Sequence, residues 1–397
     1  MRLLLRLCTR QSSRVNRVER AGEETRRSLK IGVIGTPNVG KSALTNRLVK
    51  SDVCAVSKLI DTTREVKANY SMKLFVLQNM VTSYSEGECQ LVVVDSPGLI
   101  GIQHAKKVIG THSESKILID PEKALAQAEH VLVVCDATAS GEYIHHRVLH
   151  LLHRNSHIPS SLVLNKCDLV KQRPNLLRLA QILTNGIVDG ARVTVETAKL
   201  GKLGGNGAQQ TLTVNPLGQH MGERDEKWKQ EYNRIINKET HKCSWHETKQ
   251  VFQHETGWPH FSGVFFVSAL TGEGIEALRA HLLSRSSEAE WRFKGRVKTP
   301  KKPQWLVREH IRSVMLNNLP ANVAYLLNVN IAHWEHTENE INVIAHIVAE
   351  KERTAKMVAG VVPDQIPILE ERFSKLFGCP VALEIMSKFN GKTISAQ

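Results

Sequence analysis

Four short segments constrain this 397-residue chain more than anything else in it: Gly35-Thr-Pro-Asn-Val-Gly-Lys-Ser42, Asp95-Ser-Pro-Gly98, Asn165-Lys-Cys-Asp168 and Ser268-Ala-Leu270, in that order. The first fits G-x-x-x-x-G-K-[ST], a turn whose backbone amides cradle phosphates. Such a turn needs a strand before it and a helix after it. The run from Leu29 to Gly35 is mostly apolar and predicts a buried parallel strand. From Lys41 to Lys50 the apolar residues fall at Leu44 and Leu48, which predicts a helix with its N-terminal amides and positive dipole end on the phosphates. Gly35, Pro37, Asn38, Val39, Gly40, Lys41, Ser42 and Ala43 then form the phosphate site. Lys41 is assigned to the β- and γ-phosphates, Ser42 to Mg²⁺, and Gly40 to close approach of backbone to ligand.

The other segments extend the same sheet. Leu91–Asp95 reads as a strand ending in a carboxylate that can hold Mg²⁺ through water. Gly98 can donate its amide to the γ-phosphate, a contact that hydrolysis removes. Between these segments, Thr62-Thr63-Arg64 suits a first switch, with Thr63 preferred over Thr62 as a further Mg²⁺ ligand. Lys41, Thr63 and Gly98 are therefore the residues assigned to the reaction itself. Leu162–Asn165 and Val264–Ser268 are two further apolar strands with base-reading residues at their carboxyl ends, where ligands sit in open α/β sheets. The carboxylate of Asp168 can accept from N1–H and the exocyclic amine of guanine, a donor pair that adenine lacks. With Asn165, Lys166, Ser268, Ala269 and Leu270 beside it, the expected ligand is GTP or GDP with Mg²⁺.

Length predicts two domains with additions. The net charge is +14, and residues 1–30 hold nine Lys/Arg against three acids. Arg2, Arg6, Arg10, Arg14 and Arg17 recur at helical spacing beside Leu3, Leu4, Leu5 and Leu7, with no acid before Glu19. Residues 1–25 thus read as a mitochondrial presequence, with a basic RNA-binding arm as the alternative. The seven cysteines are scattered with no C-x-x-C, which fits a reducing compartment. His241, Cys243 and His246 lack a fourth zinc ligand at a familiar spacing and read as a surface loop. No apolar run approaches the ~18 residues of a membrane span.

The expected organisation is a nucleotide-binding domain over 29–284, a basic linker over 285–303 and a small α+β domain over 304–392. Lys73–Leu77 and the 91–95 strand predict a hairpin turning near Glu86-Gly87. Residues of about 185–255 read as a partly disordered insertion, since Gly201–Gln210 is Gly-rich and Glu223–Gln250 is charged with few apolar anchors. Residues 305–319 predict an amphipathic helix. Val323–Asn330 and Ile341–Val348 alternate like half-buried strands, and a helix–turn–helix and a strand at Val381–Ile385 follow.

On these motifs the chain resembles the Era-type GTPases, a P-loop GTPase domain with a mostly parallel sheet followed by a C-terminal α+β KH-like domain, and in particular their mitochondrial members. The phosphate loop, the Thr-Thr-Arg switch, Asp-Ser-Pro-Gly-Leu and Asn-Lys-Cys-Asp carry the first part of the resemblance. Trp305–Arg312, Leu319-Pro320 and Cys379–Ile385 carry the second. The resemblance implies a GTPase of the mitochondrial matrix that binds small-subunit ribosomal RNA and the pre-ribosomal subunit and assists assembly. Peripheral association with the inner membrane, without a transmembrane segment, is a further partner it suggests. Leu99 stands where Ras-like enzymes carry a water-orienting glutamine, so slow intrinsic turnover is expected. Asn38 matches the asparagine that ligates K⁺ in potassium-stimulated relatives; as a plain residue it suits a turn.

The KH resemblance departs at its clamp. KH domains hold nucleic-acid backbone with G-x-x-G, whereas the matching stretch here, Gly360 to Ile366, has Pro363 as its second glycine and Asp364 beside it. Residues 303–397 hold nine Lys/Arg and ten acids, whereas residues 291–302 carry six cations and no acid. RNA contact is therefore expected at Arg292, Lys294, Arg296, Lys298, Lys301 and Lys302, with Arg308 and Arg312 on the next helix. The rival reading is a nucleotide-gated protein-interaction switch whose KH-like domain no longer clamps RNA. An RNA-modifying GTPase is a third, with no additional catalytic constellation to support it.

Overall fold

The computed structural model describes residues 26–56, 80–96, 122, 125–139, 141–193, 226–293, 297–324 and 326–395. The expected presequence, Thr62, Thr63, Lys73–Leu77, Gly98, Leu99, Gly201–Gln210, Lys294 and Arg296 lie outside them.

The first sheet is built from β1 (Arg27–Ile34), β2 (Met80–Glu86), β3 (Cys89–Asp95), β4 (His130–Asp136), β5 (Ser160–Asn165) and β6 (Phe261–Phe266), in the order β2-β3-β1-β4-β5-β6. All neighbours are parallel except β2, which returns antiparallel to β3. The two-residue strand Ser287–Glu288 pairs with the start of β1, ahead of the first residue of β4. The expected hairpin exists and turns at Gly87, whose φ of 53° favours glycine, but its first arm is Met80–Glu86.

Near-continuous apolar strands need cover on both faces. On one side lie α1 (Lys41–Val49) and α6 (Ile275–Ser284), through Leu44, Leu48, Leu278 and Leu282. On the other lie α2 (His146–Arg154), α3 (Arg173–Leu183), α4 (Glu226–Ile236) and α5 (Trp245–Phe252). The last two helices fall in the segment read as poor in apolar anchors. Few anchors suffice, because they are well placed: Ile235, Cys243, Val251 and Phe252 are all fully or nearly fully buried. A capping box of Ser244 and Glu247 starts α5. Two histidines of α2 fasten the unit, His150 to Thr240 Oγ1 (2.7 Å) and the Ile235 carbonyl (2.8 Å), and His153 to Tyr232 (2.9 Å) and Glu255 (2.9 Å). Cys243 turns inward beside His150 while His241 faces Glu122 and Glu239, so His241 and Cys243 serve separate contacts.

The second domain comprises α7 (Pro303–Asn318), a helical turn at Ala321–Ala324, β7 (Asn328–His336), β8 (Ile341–Val348), α8 (Glu352–Phe377), β9 (Val381–Phe389) and β10 (Lys392–Ile394). Its sheet runs β7-β8-β9-β10, with β8 and β9 parallel. The strand expected over Val323–Asn330 begins five residues later. Pro320 instead opens a helical turn, its carbonyl accepting from Ala324 (2.9 Å). The expected helix–turn–helix is also corrected, because α8 is a single helix of 26 residues that passes straight through Gly360–Ile366. Ala355, Val358, Ala359, Val362, Leu369 and Phe373 make one buried stripe along it at helical spacing. Pro363 and Pro367 sit one turn apart on its exposed side, where water can meet the carbonyls that lose their donors. Gly360 is mid-helix, and a Cβ added to it would meet no atom within 4 Å, so no close approach within the chain requires glycine there. Among the described residues no helix is long and apolar enough to cross a membrane.

The linker is fastened to the first domain. Along the free edge of β2, Ser83 N–H donates to the Lys298 carbonyl (2.8 Å) and its hydroxyl to that of Val297 (2.5 Å). Gln90 on β3 exchanges two bonds with the Phe293 backbone (2.9 and 3.1 Å). Beyond it, Val53, Cys54 and Met80 form a small apolar joint with Leu306, Trp305, Leu376 and Phe377.

Candidate nucleotide-binding site

The four segments converge at the carboxyl edge of the first sheet, as the strand order requires. Gly35 follows β1, and a Cβ there would lie 2.3 Å from the Val134 carbonyl of β4. Gly40 has φ 91° and caps α1. A Cβ on it would meet Asn165 Nδ2 at 2.3 Å, so glycine is required here by a side chain of the site. Asn38 is left-handed (φ 61°) and exposed at the loop's turn, while Val39 and Ala43 pack into the core beneath. Lys41 Nζ donates to the loop carbonyls of Gly35 (3.3 Å) and Thr36 (2.9 Å).

Ser42 donates its hydroxyl proton to Asp95 Oδ2 at 2.6 Å. Asp95 is 2% exposed, and among the described residues its Oδ1 has no hydrogen-bond partner. Burial raises its carboxyl to about 6, against the Ser42 hydrogen bond and the Lys41 charge. A buried, incompletely satisfied carboxylate touching a serine hydroxyl is a donor set suited to a hard divalent cation.

Asn165 joins two loops. Its Nδ2 donates to the Val39 carbonyl (2.8 Å), and its Oδ1 accepts from Ala269 N–H (2.9 Å). Phosphate loop and base loop are thus held by one buried amide side chain. Lys166 is left-handed (φ 66°) and pairs with Asp136 at 2.6 Å. Burial raises the Asp136 carboxyl, but hydrogen bonds from Lys166 and Thr138 and the Lys166 charge outweigh it and hold the group below its ordinary value. Asp168 is exposed in the short turn that follows. Ser268 is buried, its hydroxyl accepting from Thr271 N–H (3.1 Å), and Leu270 projects outward at 76% exposure. Asp136 belongs to this framework, as do Arg47, which donates to the Ala269 carbonyl (2.8 Å), and Arg279, which donates to that of Arg47 (2.6 Å); none was singled out from the sequence. Asp136 carries the signal that identified Asp95, an acid ending an apolar strand. The two arginines carry none.

Of the eight cations expected to meet RNA, Arg292 and Lys302 are exposed. Four others are engaged within the chain. Lys298 lies 5.3 Å from the Tyr84 ring centre and 3.4 Å from the Val49 carbonyl, and Lys301 lies over Trp305. Arg308 pairs with Glu309, and Arg312 is 7% exposed.

Comparison with known proteins bears on the whole chain. Residues 30–166 match the family model described as a 50S ribosome-binding GTPase. A Caenorhabditis elegans protein named "GTPase Era, mitochondrial" is 39% identical over 376 residues, covering 92% of this chain and 91% of that one. The chain belongs to the Era GTPase family. It is a GTPase of the mitochondrial branch, whose zebrafish (Danio rerio) member is 29% identical and 76% covered. Era structures share the fold. One in complex with MgGDPNP and nucleotides 1506–1542 of 16S ribosomal RNA has a TM-score of 0.58 at 18% identity, covering 92% of this chain and 94% of that one. An Aquifex aeolicus Era variant bound to GDP.AlF4⁻ has a TM-score of 0.57.

Proposed function

We propose that this Era GTPase binds small-subunit ribosomal RNA in the mitochondrial matrix and assists assembly of the small subunit, with the nucleotide state deciding when it lets go. The observation that carries the proposal is the mechanical link between the two domains. The linker is bonded to β2, and Val53 and Met80, which flank the segment holding Thr63, pack against α7 and the end of α8. A change in that segment on hydrolysis reaches the second domain through this contact.

Within the site, Gly35, Pro37, Asn38, Val39, Gly40 and Ala43 cradle the phosphates, Lys41 pairs with β and γ, and Asp168 with the Ser268–Leu270 loop reads guanine. Ser42 and Asp95 would hold Mg²⁺, with Thr63 completing its shell, and the ion would offset negative charge on the β- and γ-phosphates. Gly98 contacts the γ-phosphate, and Asn38 ligates K⁺. The expected divisions 29–284, 285–303 and 304–392 remain the proposed domain limits. The rRNA role draws support from the near-complete match to mitochondrial Era proteins and from the shared fold of an Era bound to 16S RNA.

A second reading, a nucleotide-gated protein-binding switch, is favoured by one observation: α8 is unbroken where a clamp loop was expected. Titration of the GTP-loaded protein with small-subunit RNA at several salt concentrations decides between them. Phosphate contacts give a steep dependence on salt. Flat, weak binding would leave the protein-binding reading standing.

A further inference from the structure

The base loop is held from a second side, by the helix that carries the phosphate loop. Arg47, in the last turn of α1, donates from Nε to the Ala269 carbonyl at 2.8 Å and from Nη2 to the Leu270 carbonyl. These are two consecutive carbonyls of the segment whose Ala269 amide is held by Asn165. Because a trans peptide is planar, fixing the Ala269 carbonyl toward Arg47 turns the Leu270 N–H away from α1. The turn of helix that carries Arg47 is itself fixed. Arg279 of α6, 2% exposed and 5.0 Å from the Tyr84 ring centre, donates to the carbonyls of Arg47 (2.6 Å) and Leu48 (3.0 Å). The Leu48 carbonyl is one of the last acceptors of α1, while that of Arg47 also accepts from Lys50 N–H (3.3 Å).

We propose that Arg47 is a positioning residue for guanine recognition: by gripping two carbonyls of the Ser268–Leu270 loop it presets the Leu270 amide, left over once Asn165 has taken that of Ala269, to meet the 6-carbonyl of the base. The proposal rests on the reading of that loop as base-reading. A planar guanidinium can bond two adjacent acceptors at once, which an ammonium cannot do in the same geometry. Arg47 is exposed on its outer side, and among the described residues its side chain makes no hydrogen bond to a residue assigned to the phosphates. Its loss therefore loosens the base end of the site alone.

The test compares the full-length protein with Arg47→Met, which keeps the apolar stem, and Arg47→Lys, which keeps the charge. Release of a fluorescent GDP is timed. Competition is then measured for GDP, for 2-aminopurine riboside diphosphate, which lacks the 6-carbonyl and with it the N1–H that Asp168 takes, and for inorganic tripolyphosphate, which lacks the base. Arg47→Met should release GDP roughly tenfold faster, a change of the size expected for losing a charge-assisted bond. It should also narrow the preference for GDP over the 2-aminopurine analogue, with tripolyphosphate competing as before. Arg47→Lys should fall between. If GDP and tripolyphosphate weaken in equal proportion, or the preference is unchanged, the assignment is overturned. Asp168→Asn in the same assay separates the two layers. If it fails to shift preference toward xanthine nucleotides, the base-site reading falls and Arg47 with it. If it shifts and Arg47→Met does nothing, only the Arg47 assignment falls.

Discussion

The two domains are organised by different kinds of bond. Around the nucleotide site, the loops after β1, β5 and β6 are tied to one another and to α1 by side chains reaching backbone: Asn165 to Val39 and Ala269, Arg47 to Ala269 and Leu270, and Arg279 to the end of α1. The second domain is a single apolar cluster, with α7 and α8 laid on one face of a four-stranded sheet through residues such as Met315, Val343, Leu369 and Phe373. Such ties demand particular atoms at particular places. An apolar core demands only volume and pattern. The first domain is therefore intolerant in its loops and the second in its interior.

That contrast can be broken most sharply from the core side. Phe373→Ala removes a fully buried ring from α8 and should cost the second domain about 3–5 kcal/mol. GTP affinity should be retained. Chemical denaturation followed by a probe in each domain reads both, and simultaneous loss of nucleotide binding would show the domains to be one cooperative unit. From the site side, Asp168→Asn should exchange guanine for xanthine preference at about 2–3 kcal/mol, since a charge-assisted acceptor becomes a donor. The melting of the second domain should not move.

A smaller effect separates the metal from the protein. Asp95 titrates near 6 in the folded chain against a reference of 3.8, so in the absence of a cation its charge lowers stability as pH rises through that window. A cation needs the charged form. The Mg²⁺-dependent gain in GTP affinity should grow as pH rises through about 6 and fall away below it. Nucleotide titrations with and without Mg²⁺ across this range check the sign, and a gain unchanged at about pH 5 would remove Asp95 from the metal site. The smallest effect tests the RNA surface. Neutralising exposed Arg292 and Lys302 should lower the salt slope of RNA binding by roughly one unit each. Val361→Asp on α8 should leave it alone. The reverse result would place RNA on the helix.

The sequence was legible where chemistry needs identities. Gly40, Lys41, Ser42, Asp95 and Asn165 were singled out because phosphate, metal and base each limit the residues that could serve them, and the structure brings these five to one edge of the sheet. The mostly parallel sheet was expected as well, since strand–loop–helix motifs leave little topological choice. In the second domain the reading slipped at Val323–Asn330 and at Gly360–Ile366. Alternation over a few residues does not fix where a strand starts. The expected turn at Gly360–Ile366 went with the KH resemblance, and the buried stripe from Ala355 to Phe373 overrides it. Arg47 and Arg279 were invisible because their partners are backbone carbonyls more than 200 residues away.

The strap across β2 carries a consequence for how the molecule comes into being. Among the described residues β2 lies at the border of its sheet, and an open border of this kind invites other chains to add to it. Its cover, Val297-Lys298, lies more than two hundred residues further along the chain. A polypeptide emerging from a ribosome or a translocation pore amino end first would present this border long before its cover arrives. A chaperone that shields the nascent first domain until the linker has passed would guard this border, and a fragment ending at residue 284 would keep it permanently open to self-association.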